Sequence, residues 1–406
     1  MKIIYLHQYF LFPNQSGGTR SFDLATGFLR SGHDVEVLTS TSDPSYKSKN
    51  RWSKIEKNGL IVHYIYLKYK NDMKFLQRSI VFFQFFWFST LKLLSINGDL
   101  VLATSTPLTI GIPALIKKWI HKIPFIFEAR DIWPEAAIAI GAVKNKFLQK
   151  SLYFLEYLIY KNAIAIVPLS IEMKQSIISR YPKLSNKHIQ VIENISEITR
   201  FQNGHNNSVS VLKKRIGFNP RFAVLYAGTF GRVNGIDYVI ELADKLFQLD
   251  PTIIFILVGD GAEKKMIISK ATDKGVLNKN VFIFDSVSKH DLPQLYFECD
   301  MGSSFVIPVK ELWANSANKL FDTLAAGKPV LINYNGWQKE LINEENIGYV
   351  LPIIINDNVV KEFVLYSQNK ELIAKQKKNA LKIAEERYAK DVAVTKYNMI
   401  FKKFFL

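Results

Sequence analysis

Short runs of β-branched and aromatic residues alternate along the chain with stretches of helical periodicity. In the first half these runs are KIIYLHQYF, DVEVLTS, LIVHYIYL, LVLAT, FIFEA, AIAIVPLS and IQVIEN. After Pro220 the rhythm restarts with FAVLYAG, TIIFILVGDG, NVFIFDSV, CDMGSSFV and KPVLINY. Strands that alternate with helices build βαβ units and parallel sheets. Two such series predict an α/β protein of two Rossmann-like domains. The break between them, from Asn194 to Pro220, is polar and rich in Asn and Gly. The expected division is a first domain at 1–193, a linker at 194–220, a second domain at 221–386 and a basic, aromatic helix at 387–406.

One run departs from this rhythm. SIVFFQFFWFSTL, from Ser79 to Leu91, holds 13 residues without a charge and is flanked by Lys68, Lys70, Lys74, Arg78 and Lys92. Crossing a bilayer takes about 20 apolar residues, so this run is too short to span one. It is either a helix buried in the core or one lying in a membrane interface.

Composition narrows the class. With 406 residues, 48% of them hydrophobic, the chain can bury a large core, and disorder is excluded. The single cysteine, Cys299, excludes an internal disulfide framework and a Cys-rich zinc site, and reads as a small buried hydrophobe in a reducing compartment. Ile3 to Leu6 is too brief for a secretory leader, so a cytoplasmic location is expected. Residues 1–200 carry 26 Lys and Arg against 14 Asp and Glu, a net of +12, while residues 201–406 carry 27 against 22, a net of +5. The positive excess in the first half calls for an anionic membrane surface or a phosphorylated substrate. Nucleic acid is not expected, because the lysines are scattered between apolar runs and no nucleic-acid module is visible.

Open parallel sheets bind ligands beyond the carboxyl ends of their strands, so the chemistry is sought in the loops that follow them. After the first strand, Gly17 and Gly18 precede a helix, where a backbone without side chains can approach a phosphate or a sugar. His33 reads as structural. After FIFEA come Arg130, Asp131, Trp133 and Glu135. This cluster is either a site, with Arg130 holding an anion and Asp131 or Glu135 acting as a base, or a helix cap with Asp131 as N-cap. In the second half, YAGTFGRVNG places Gly228, Gly231 and Gly235 in a strand-to-helix turn with Arg232 in phosphate range, but it is not the dinucleotide fingerprint. Gly259 in VGDG and Val287 in DSVSKHD follow further strands. NSANKLFDTLAAGKPV, from Asn315 to Val330, puts Lys319 and Asp322 on the first turns of a helix, where spare backbone N–H groups and a cation suit a diphosphate.

Taken in order, SGGTR, GHDVEVLT, RDIWPE, YAGTFG, GIDYVIELA, VGDGAEK, VSKHDLPQLYFECD and NSANKLFDTLAAGKPV resemble the retaining family 4 glycosyltransferases of GT-B fold. The likeness is greatest to bacterial members that build surface polysaccharides, such as L-fucosamine-type transferases. The resemblance implies that Asp322 accepts the ribose hydroxyls of a nucleotide sugar and that Lys319 faces the diphosphate. It implies that Asn315, Ser316 and Asn318 line the donor sugar and phosphates, with Gly228, Thr229, Gly231, Arg232, Gly259 and Val287 around the nucleotide. Arg130, Asp131 and Lys319 are the catalytic candidates, and Gly17 and Gly18 complete the cleft. No cofactor and no metal are expected; the donor is a substrate, UDP-linked by analogy. The acceptor implied is a lipid-linked saccharide at the inner leaflet, in O-antigen, capsule or exopolysaccharide assembly, with the terminal helix crossing back onto the first domain and Phe404, Phe405 and Leu406 packing there or touching lipid.

The chain departs from the family pattern in places. Position 314, where a first acid is common, is alanine, and the usual basic residues of the phosphate loop fall on Thr229 and Asn234, both neutral. A frequent histidine is replaced by Arg130. These differences read as variation within a subgroup. The alternatives left open are a non-hydrolysing nucleotide-sugar epimerase and an inactive transferase scaffold with a binding role.

Overall fold

The computed structural model describes residues 1–69, 73, 75–205 and 210–405, apart from the side chains of Phe75, Leu76 and Arg78. Of the cations flanking the apolar run, Lys70, Lys74 and the Arg78 side chain lie outside this description, as do residues 206–209 of the linker stretch and Leu406. Two sheets form. The first contains β1 (Lys2–Leu6), β2 (Asp34–Thr41), β3 (Trp52–Lys57), β4 (Leu60–Tyr66), β5 (Leu100–Thr104), β6 (Phe125–Ala129), β7 (Ala165–Pro168) and β8 (His188–Ile189). Their order is β3-β4-β2-β1-β5-β6-β7-β8, parallel except for the β3–β4 pair. The second contains β9 (Phe222–Ala227), β10 (Ile253–Val258), β11 (Val281–Phe284), β12 (Met301–Ser304), β13 (Val330–Ile332) and β14 (Gly348–Val350), in the parallel order β11-β10-β9-β12-β13-β14.

The two Rossmann-like domains expected from the alternating runs are therefore present. Central strands such as LVLAT and IIFILV are buried at every position, as a parallel sheet covered by helices on both faces requires. The strand β3 was not anticipated, because WSKIEK is largely polar and none of its positions is buried. Its signal is the Asn58-Gly59 turn, where both residues have positive φ (55° and 75°) and close a two-residue hairpin. The strand order reverses beside β1 in the first sheet and beside β9 in the second. Crevices open at those reversals.

The helix Lys390–Phe405 crosses back onto the first domain. Tyr397 and Phe401 pack edge-on against Phe28, with ring centroids 5.4 and 5.3 Å away. Helix Arg20–Arg30 meets it through Gly27, where an added Cβ would lie 2.2 Å from Val394 Cγ2. Phe405 is partly buried against the same cluster, and Phe404 lies beside His188. His33 bonds Asn398 and stacks edge-on with Phe401, a structural role. Cys299 is buried.

At the centre of this packing Arg20 and Glu128 form a buried ion pair, Nη2 to Oε2 at 2.8 Å, and Tyr397 Oη donates to the same carboxylate at 2.5 Å. Removing one member of a buried pair strands the other. We expect Glu128→Ala to lower unfolding free energy by about 3–5 kcal/mol, and Tyr397→Phe by about 1.5–3 kcal/mol. Urea denaturation of the two variants checks both values and their order.

Candidate active site

A cleft of about 760 Å3 lies between the domains, lined from both sides by loops that follow strands. On the second-domain side β9 is followed by Gly228, and the neighbouring β10 by Gly259. These loops touch: a Cβ added at Gly259 would lie 1.8 Å from Gly228 O, so a side chain there would drive them apart. At Gly228 an added Cβ would lie 2.6 Å from Lys319 Cε. The glycine thus opens a slot for the lysine.

Lys319 sits in the first turn of helix Asn318–Ala325, whose start is uncapped by any side chain. Its ammonium lies 5.0 Å from the Tyr226 ring centroid and 3.4 Å from Asn234 Oδ1. Desolvation pushes its pKa down to about 8, partly opposed by the charge of Asp322. A cation short of solvent beside free backbone N–H groups can stabilise a polyanion. Asn315 Oδ1 accepts from Ala317 N at 3.1 Å and shapes the turn into that helix. Asp322, only 7% exposed, is paired with Lys289.

The first-domain wall carries Gly17, Gly18, His7, Thr106, Arg130 and Asp131. Gly18 packs on the opposite domain, where an added Cβ would lie 2.4 Å from Asn318 Nδ2. Arg130 N donates to Ser105 Oγ at 2.9 Å, and Thr106 Oγ1 donates to Asp131 Oδ2 at 2.6 Å. The helix after this loop is Glu135–Ala139 with Pro134 at its N-cap, so Asp131 is no cap. Glu135 is not available as a base either: it is tied to Arg180 and Ser176. His7 is buried, 2.9 Å from Ser21 Oγ and 3.4 Å from an Arg130 nitrogen. Burial, reinforced by Arg130, holds its pKa well below the usual value and keeps it neutral.

Of the expected site residues, Gly17, Gly18, Gly228, Thr229, Gly259, Val287, Asn315, Ser316, Asn318, Lys319, Asp322, Arg130 and Asp131 all line the cleft. Gly231 and Arg232 do not; Arg232 has Glu263 in its electrostatic neighbourhood instead. Among the lining residues that were not anticipated are His7, Asn194 and Lys289. Asn194 was assigned to the linker, yet its Nδ2 donates to Ser316 O across the cleft, while Asn194 Oδ1 and Ser316 Oγ have no partner among the described residues. For His7 a usable signal existed, since it directly follows β1 at a strand's carboxyl end. Among the described residues no group of three or more His, Cys, Asp and Glu comes together as a metal site.

The family model described as Glycosyltransferase Family 4 matches residues 17–199, and that described as Glycosyl transferases group 1 matches residues 211–383. With one match for each domain, the chain belongs to the glycosyltransferase group 1/family 4 superfamily. It is 32% identical over 142 residues to the putative colanic acid biosynthesis glycosyl transferase WcaI of Escherichia coli, covering 34% of this chain and 33% of that protein. It is 22% identical over 228 residues to spore coat protein SA of Bacillus subtilis, covering 54% of this chain and 59% of that protein. These alignments span less than two thirds of either relative. The structure of HepE from Anabaena, solved in complex with UDP and glucose, superposes over all of both chains with a TM-score of 0.73 at 18% identity. The GT-B fold is thereby shown.

Because Lys319 is charged more easily in the unfolded chain than in the folded one, its charge opposes folding in full below about pH 8, and this is relieved between about pH 8 and the usual lysine value. Lys319→Met should therefore raise the melting temperature at pH 7. The gain should shrink as pH approaches 10, measured by calorimetry against the parent at each pH.

Proposed function

We propose that this protein transfers a sugar from a nucleotide-diphosphate donor, UDP-linked, to a lipid-linked saccharide during surface polysaccharide assembly, with retention and without a metal. The observation that carries this reading is Lys319, a partly desolvated cation at an uncapped helix start, facing the glycine turn after β9. As the glycosidic bond breaks, negative charge grows on the leaving diphosphate. A fixed ammonium and oriented N–H groups in a closed cleft stabilise that charge without rearranging. Asp322 takes the ribose, and Asn315, Ser316 and Asn318 surround the phosphates and the sugar. HepE, of the same fold, was solved with UDP and glucose; WcaI carries a polysaccharide-synthesis name. Retention and the L-fucosamine-type subgroup rest on the sequence resemblance.

In this reading the second domain binds the donor and the first the acceptor, with Arg130 and Asp131 at the point of transfer. The first domain also supplies a surface for the inner leaflet. Helix Phe75–Ser95 buries Val81, Phe85 and Leu93 but exposes Ile80, Phe83, Trp87 and Leu91, with Phe83 62% exposed. The apolar run is therefore neither wholly buried nor wholly free: one face packs and the other stays bare. Helix Gly111–His121, packed against it, exposes Trp119 and Ile120, and helix Lys146–Asn162 exposes Phe147 and Phe154. Lys122, Lys146 and Lys150 are exposed on the same helices or at their ends. Aromatic residues with cations around them fit an anionic lipid interface. No helix among the described residues is long and apolar enough to cross a membrane.

Calorimetric titration with UDP, GDP and TDP, with and without EDTA, tests the donor. One nucleotide should bind and keep its affinity in EDTA, and Lys319→Ala and Asp322→Ala should each weaken it about tenfold or more. Affinity should fall as pH rises from 8 to 10 in the parent, since binding then requires proton uptake by Lys319, and this slope should vanish in Lys319→Ala. Unchanged binding in both variants would sink the site assignment; no binding at all would favour an inactive scaffold. For the membrane surface, the double variant Phe83→Glu/Trp87→Glu should lose sedimentation with phosphatidylglycerol vesicles while keeping its melting temperature.

A further inference from the structure

Arg130 is a cation of the cleft wall that no carboxylate neutralises. It follows β6, lines the cleft and is half-buried, and it forms no ion pair among the described residues. Glu128, two residues earlier, feels its charge but is taken up by Arg20 and Tyr397. Asp131, the next residue, receives Thr106 through Oδ2. The guanidinium meets one side-chain partner among the described residues, His7, whose Nε2 lies 3.4 Å from Arg130 Nη1.

That contact fixes the state of the imidazole. A guanidinium only donates, so Nε2 presents its lone pair and the ring proton sits on Nδ1, 2.9 Å from Ser21 Oγ. Burial, with the charge of Arg130 beside it, keeps the ring neutral and the lone pair free to accept. Ser21 is 2% exposed and follows Arg20 on the helix Arg20–Arg30, so the imidazole is anchored in turn. The main chain of Arg130 is also held, through its N–H to Ser105 Oγ at 2.9 Å. Both ends of the residue are therefore fixed by the first domain, while the other guanidinium donors have no acceptor among the described residues.

A fixed guanidinium with spare donors complements a phosphate, because its planar fork can bind two oxygens at once. The cation assigned to the donor, Lys319, belongs to a helix of the other domain, and the excess of positive charge, +12 over residues 1–200, lies on the side of Arg130. We propose that Arg130, oriented by His7, binds a phosphate or diphosphate group carried by the acceptor, on the first-domain wall and apart from the donor diphosphate. The inference rests on the transferase reading and deepens it by giving the acceptor a charge. His7 acts through Arg130 and is a positioning residue.

The test is a calorimetric titration of the full chain, saturated with UDP, using inorganic pyrophosphate and, separately, farnesyl diphosphate. UDP fills the donor side, so the second anion reports on the first-domain wall. Arg130→Gln should lower pyrophosphate affinity about tenfold or more and leave UDP affinity in place. His7→Phe offers no lone pair and should lower pyrophosphate affinity about fivefold, whereas His7→Gln, whose amide oxygen can accept from the guanidinium, should restore most of it. Tighter binding of farnesyl diphosphate than of pyrophosphate assigns the group to a lipid-linked acceptor, and equal affinity assigns it to a soluble one. Pyrophosphate that does not bind the UDP-loaded protein, or that binds Arg130→Gln equally well, would overturn the anion site. Loss of UDP affinity in Arg130→Gln would return the arginine to the donor and overturn it too. Unchanged affinity in His7→Phe, or in Ser21→Ala should His7→Phe not fold, would overturn the positioning role. If UDP itself does not bind, the nucleotide reading falls, while pyrophosphate affinity lost in Arg130→Gln and kept in Lys319→Ala leaves the anion site standing.

Discussion

The geometry of the cleft depends on the guanidinium of Arg20. It donates to Glu128 through Nε and Nη2, to Ile192 O at 2.9 Å and to Glu193 O, and Glu128 also receives Tyr397. Four separate segments are tied at this point. Arg20 begins the helix after Gly18; Glu128 precedes Arg130 by two residues on β6; Ile192 and Glu193 lead into Asn194; Tyr397 belongs to the returning terminal helix. Desolvating two charges costs several kcal/mol, and their attraction offsets this only when the remaining donors and acceptors are satisfied. Here they are. A pair of apolar side chains of equal volume would fill the space as stably, but it would not fix the directions in which Arg130 and Asn194 leave the core.

From that point the first half of the chain reaches across and holds the second-domain wall of the cleft. Ser170 Oγ donates to Ala314 O at 2.8 Å, Asn194 Nδ2 to Ser316 O, and Ser196 Oγ to Phe321 O at 2.8 Å. All three acceptors are main-chain carbonyls in or beside the segment that carries Lys319. The start of the helix Asn318–Ala325 is thus held by side chains of the other half of the chain. Glu172 adds a fourth tie by accepting from Trp337 N at 2.9 Å. Nucleotide chemistry assigned to the second domain is in this sense prepared by the first.

What could be read from the sequence was what is local. Two series of buried strands, their loops, and the glycines beside Lys319 all follow from patterns a few residues long. The misses share a different cause. Lys289 meets Asp322 across 33 positions and Arg20 meets Glu128 across 108, and no spacing rule encodes such pairs. Arg232 was placed by its proximity to a glycine turn, but Gly235, with φ of 55°, begins the next helix and that turn carries the arginine out of the cleft lining. Asn194 looked like linker because polar residues usually leave the core there; instead it is 3% exposed and spans the cleft. The helix Phe75–Ser95 resisted assignment because its sequence is apolar on every side, so periodicity could not tell the packed face from the bare one.

The neutral residue at Asn234 gains a physical account from the position of Lys319. Asn234 Oδ1 lies 3.4 Å from Lys319 Nζ, so the ammonium enters from the helix into the neighbourhood where the family resemblance places a loop cation. A lysine at Asn234 would set two like charges within a few ångströms in a poorly solvated slot, and each would disfavour the other. Neutrality at position 234 spares Lys319 a like charge, while the carboxylate of Asp322 partly opposes its desolvation. The charge available to a leaving diphosphate depends on where the ammonium ends, and different parts of the chain can bring it there.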